Sequence, residues 1–111
     1  MKVTSLALGV CGALAWSVAS AQSVDVSAAE ALAKKSGCTK CHSVSAKKEG
    51  PSFKETAAKY KGKPDAREKV RFHITSGEKV KFEDGHEEDH AIVKTKEQDK
   101  IDNLVDWILA Q

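Results

Sequence analysis

Cys38-Thr39-Lys40-Cys41-His42 is the stretch that settles what this chain is built around. On a helical turn Cys38 and Cys41 are i and i+3, and Cys38 and His42 are i and i+4, so the three side chains share a face. Two thiols on one face can add across the two vinyl groups of a haem while the imidazole reaches its iron. The pattern C-x-x-C-H therefore reads as a c-type haem attachment site. Other uses fit less well. A redox dithiol expects a preceding strand and a βαβ context, which this sequence lacks. Zinc ligands normally come as two separated pairs. A disulfide between i and i+3 is strained and closes no useful loop.

Four helices are expected around this motif, and no convincing strand. Ser27-Ala28-Ala29-Glu30 has capping-box form and opens a helix to about Ser36, with Gly37 as its stop. Ser52-Phe53-Lys54-Glu55 repeats the pattern behind Pro51, with Phe53, Ala57 and Tyr60 at helical spacing before Gly62. Ala66, Val70 and Ile74 mark a third helix after Pro64, ended by Gly77. Thr95 begins a fourth, in which Ile101, Leu104, Val105 and Ile108 fall at i, i+3, i+4 and i+7. Between helices three and four runs a long polar loop, residues 77–94, and a loop of that length in a small domain is usually functional.

The chain has 111 residues, 41% hydrophobic and only 5% aromatic, enough for one small domain. Residues 1–21 place Lys2 before an apolar run and end in Ala19-Ser20-Ala21, the order of a secretory signal. That run is too short to span a bilayer comfortably. The expected organisation is a signal peptide over residues 1–21 and an exported, periplasmic domain over residues 22–111. Removal of 21 of the 111 residues leaves 90, with Cys38 and Cys41 as the only cysteines and no methionine. So small a domain needs a staple, and a bound cofactor supplies one.

Charge is uneven along the chain. From Lys34 to Lys63 there are nine lysines against Glu49 and Glu55, a net of +7. From Phe82 to Asp102 there are eight acids against three lysines, a net of −5. Solvated helix faces account for such runs, and so does a dipole that orients the molecule when it docks on a redox partner. With a net charge of +1 after export, nucleic acid is a poor partner, and a monomer or weak oligomer is expected.

The motif, Gly50-Pro51 downstream, the Ala- and Lys-rich helix from Ser52 to Tyr60, the run Ile74-Thr75-Ser76-Gly77 and the terminal Trp107-Ile108-Leu109 occur in a characteristic order. In this the chain resembles a class I cytochrome c of the small bacterial kind, from Ser27 to the end. The resemblance implies an all-α fold of three to four helices around one covalent haem c, bound through Cys38 and Cys41. It implies His42 as proximal iron ligand, with its other ring nitrogen bonded to the Pro51 carbonyl. It also implies a monohaem electron-transfer role, not an enzyme.

One departure from the family is plain. Its members usually offer a methionine sulfur from the loop before the last helix, and here the single methionine is Met1. Imidazole is the natural substitute on haem iron. His90, followed by Ala91-Ile92-Val93, is the expected distal ligand, with His86 second. His73 on the third helix and Lys81 are further candidates. Two imidazoles imply a lower potential than a His/Met pair gives. The competing functions are a small-molecule-binding or catalytic haem protein with a displaceable sixth ligand, and a haem subunit of a larger redox complex.

Overall fold

The structure, a computed structural model, describes residues 23–111. The expected export signal, residues 1–21, lies outside the described residues. Helix α1 spans Val26–Lys35, α2 Phe53–Tyr60, α3 Ala66–Thr75 and α4 Gln98–Leu109. A short 3-10 turn, Cys38–Lys40, follows α1. No helix among the described residues is long and apolar enough to cross a membrane.

Helix α4 is the hub, packing against α1, α2 and α3. Its stripe of Ile101, Leu104, Val105 and Ile108, joined by Trp107, is buried as the spacing requires. Trp107 meets Phe53 of α2 edge-on, ring centroids 5.2 Å apart. Ala29, Leu32 and Ala33 of α1 and Val70 and Ile74 of α3 complete the same core. Small residues on α1 let the two terminal helices approach closely. Their ends are tied by a reciprocal pair: the Asp25 N–H donates to Asn103 Oδ1, and Asn103 Nδ2 donates to the Asp25 carbonyl, both at 2.8 Å. Arg67 and Arg71 on α3 reach Asp106 and Asp102 on α4.

Two caps differ from expectation. Asp25, not Ser27, caps α1, its carboxylate accepting from the Ala28 N–H. Glu97 stands at the start of α4, while the Thr95 hydroxyl accepts from the Glu97 N–H in a local turn. The α2 capping box is as read: the Ser52 hydroxyl accepts from the Glu55 N–H, and the Glu55 carboxylate accepts from the Ser52 N–H. Ser52 is 2% exposed. Ser52→Ala strips both the cap and a buried acceptor, so it is expected to cost about 1–2 kcal/mol. A lowered urea midpoint at unchanged slope measures it.

The absence of strands is corrected. Lys79–Lys81 (β1) pairs antiparallel with Glu87–Asp89 (β2), Lys79 opposite Asp89 and Lys81 opposite Glu87. Opposite charges across the ladder favour this register. Asp84-Gly85, with Gly85 at φ 91°, supplies the turn. The strands are three residues long and almost wholly exposed, so no apolar alternation announces them.

Candidate functional site

The helices and the hairpin line a partly open cleft with a cavity volume of about 1030 Å³. Phe53, Tyr60, Val70, Ile74, Val80 and Ile108 give it apolar walls, and Lys34, Lys35, Lys40 and Lys59 stand among its lining residues. Cys38, Cys41 and His42 enter from one side, His73 and His90 from another part of the lining.

The cysteine side is organised by glycine and backbone hydrogen bonds. Gly37, at φ 80°, ends α1 in the left-handed region and starts the 3-10 turn. The His42 N–H donates to the Cys38 carbonyl at 3.0 Å, so the helical turn continues through the histidine. Cys38, Cys41 and His42 thereby share the face inferred from their spacing. The Gly50 N–H donates to the Cys41 carbonyl at 2.8 Å and folds the intervening loop back. The next residue, Pro51, places its carbonyl 2.7 Å from His42 Nδ1, which donates to it. This bond assigns the ring proton to Nδ1 and leaves the Nε2 lone pair free. Phe53 stacks against the ring at 5.5 Å between centroids.

Neither thiol suits a redox dithiol. Burial pushes the Cys38 thiol above its usual range, and burial with the Glu49 carboxylate does the same to Cys41. A reactive dithiol needs the opposite shift.

The far side is built from α3 and the loop before α4. The His90 N–H donates to the Glu78 carbonyl at 2.8 Å, Val93 N–H to the Ile74 carbonyl at 2.9 Å, and Lys94 N–H to the buried Ser36 hydroxyl at 2.9 Å. These bonds strap residues 90–94 across the fold and aim His90 inwards. His90 Nδ1 is buried with no hydrogen-bond partner. Burial, reinforced by the neighbouring His73, lowers its pKa from the ordinary histidine value. The His90 ring centroid lies 3.9 Å from that of His73 and 6.2 Å from that of His42.

His42, His73 and His90 each bring one ring nitrogen within 4.8 Å of the others. Two imidazole nitrogens on opposite sides of one metal ion stand about 4 Å apart, twice a metal–nitrogen bond of about 2 Å. The spacing, the orphaned nitrogen and the apolar cavity together fit a haem held through Cys38, Cys41 and His42. His86 is not brought to this cluster. It sits on the exposed hairpin turn, its Nδ1 on Asp84, its Nε2 on Glu88 and its ring stacked on Phe82. Asp84 first, then Glu88, raise its pKa. Lys81 lines the cavity but is exposed. His73 is the residue whose place the sequence underrated. The signal was its spacing three positions after Val70, which sets it beside the buried stripe of α3.

Fold and site thus define a small helical haem protein with thiol attachment. The family model for cytochrome c matches residues 26–111. The cytochrome c-551 of Stutzerimonas stutzeri is 44% identical over 75 residues, covering 68% of this chain and 65% of that one. The cytochrome c-551 of Allochromatium vinosum is 48% identical over 46 residues, 41% of this chain and 49% of that one. The chain thus matches about half to two thirds of the length of these relatives. Among solved structures, the class 1 cytochrome MtoD of Sideroxydans lithotrophicus ES-1 superposes with a TM-score of 0.75 at 53% identity, covering 79% of this chain and 97% of that one. Cytochrome c552 of Nitrosomonas europaea follows at 32% identity and a TM-score of 0.56, covering 73% and 96%. The chain belongs to the cytochrome c family, within its class I branch, and its cofactor is a covalent c-type haem.

Proposed function

We propose that this protein is an exported, periplasmic monohaem electron carrier whose iron is held by two histidines, His42 and His90. The haem supplies a one-electron couple, and the protein supplies burial, ligands and a docking surface. Cys38 and Cys41 anchor the haem through thioethers. His42, oriented by the Pro51 carbonyl, takes the proximal position. His90, held inward by the strap from Glu78 to Ser36, takes the distal one. Walls of Phe53, Val70 and Ile74 exclude water and lower the reorganisation that accompanies electron transfer. The lysine-rich stretch from Lys34 to Lys63 and the acidic hairpin give partners an oriented field for docking. Export follows from residues 1–21.

The observation that carries the reading is the convergence of ring nitrogens of His42, His73 and His90 to within 4.8 Å of one another, in a chain whose single methionine is Met1. The spectrum of the oxidised holoprotein tests it. We expect a low-spin bis-imidazole signature, no long-wavelength band of an iron–thioether bond, and a midpoint potential below that of His/Met relatives. His86→Ala should leave all three unchanged. A thioether band, or high-spin iron in the wild type, would overturn the assignment.

A further inference from the structure

We infer that the distal iron position is shared by two imidazoles, His90 and His73, either of which can bind opposite His42. This rests on the bis-histidine reading above. Three ring nitrogens converge within 4.8 Å. Porphyrin fills four positions on haem iron and leaves two, one of which His42 occupies from the cysteine side. Two rings therefore compete for one site.

Hydrogen bonding separates the two rings. A metal-bound histidine almost always donates its second ring N–H to a carboxylate, a backbone carbonyl or water. His42 does so to Pro51. His73 does so as well, its Nδ1 donating to the Glu78 carboxylate. His90 lacks any such contact, its Nδ1 being buried and unpartnered. His73 thus carries the outer support of a ligand, while His90 carries the inward aim of one.

Glu78 joins them. Its carbonyl accepts from the His90 N–H and its carboxylate accepts from His73. Gly77, at φ 67°, turns the chain out of α3 so that Glu78 comes back beside His73. The two rings lie 3.9 Å apart between centroids and are tilted by 42°, so a small shift of either ring exchanges them. One iron–nitrogen bond breaks as the other forms. The exchange leaves the oxidation state of the iron unchanged, one imidazole lone pair replacing the other. The two forms differ in what stands behind the distal ring. A carboxylate behind His73 makes it the stronger donor and favours ferric iron.

Low-temperature electron paramagnetic resonance of the oxidised holoprotein tests the sharing. The wild type should show two low-spin signals, one lost in His73→Ala and the other in His90→Ala. His90→Ala should stay low-spin through His73, and only His73→Ala/His90→Ala should turn high-spin. Glu78→Gln should keep both signals and shrink the one assigned to His73. His73→Gln, which retains a polar side chain, is read in the same way should the alanine variant fail to accumulate. A single wild-type signal that survives His73 replacement unchanged and turns wholly high-spin in His90→Ala overturns the inference and leaves the bis-histidine reading standing. High-spin iron or a thioether band in the wild type instead removes that reading itself.

Discussion

Cys38→Ala/Cys41→Ala should yield a chain with no covalent haem and no fixed tertiary structure. The four helices are eight to twelve residues long, lengths at which isolated helices are marginal in water. They hold together through α4 and through the walls of a cavity of about 1030 Å³. With no haem in that space, its apolar walls of Phe53, Val70 and Ile74 would face water in place of the cofactor. Its loss should abolish the near-ultraviolet circular dichroism and amide exchange protection, with the intact mass showing unmodified polypeptide. A single Cys→Ala variant should keep one thioether and fall between. A haem-free double variant with native near-ultraviolet bands would contradict the account.

Gly50→Ala is the second large effect expected, and it acts without removing any ligand. A Cβ at this position would sit 2.5 Å from His42 Cε1, 2.8 Å from His42 Nδ1 and 3.2 Å from the Cys41 carbonyl. None of these atoms is a flexible tip: the ring is fixed by its 2.7 Å bond to Pro51 and by the stack on Phe53. Gly50 is not among the residues at positive φ, so the requirement for glycine is steric and not conformational. Overpacking of this kind costs about 1–3 kcal/mol. Here the ring that must move is that of His42, the proposed proximal ligand. We expect a fall in Tm of several degrees together with weakened or lost low-spin character in the ferric spectrum. A spectrum identical to the wild type would show that the loop moves in place of the ring.

Much of this molecule is legible without coordinates, and the reasons differ from place to place. Helix α2 is announced by Ser52 and Glu55, three residues apart and bonded to each other. Helix α4 is announced by its apolar period. Both are local signals that nothing distant overrides. The cap of α1 is ambiguous because Asp25 and Ser27 are alternative acceptors within one turn, and only the path of the incoming chain selects between them; Glu97 stands at the start of α4, and its side chain makes no capping bond. The hairpin is hidden because its register rests on charge pairs such as Lys79 with Asp89 and not on buried residues.

The expectation of haem attachment at Cys38 and Cys41, and the proposal of a distal ligand other than methionine, rest on spacing and composition, properties of the chain that no folding can alter. The His42 contact with the Pro51 carbonyl is implied only by the family resemblance, and the structure shows it at 2.7 Å. The far side of the site is another matter. His73 rides on a helix and His90 on a loop, and they meet because Val93 and Lys94 bond back to Ile74 and Ser36 and because Glu78 holds one residue by its backbone and the other by its carboxylate. Contacts between residues so distant in sequence depend on how the elements pack, and periodicity within any one element carries no record of them.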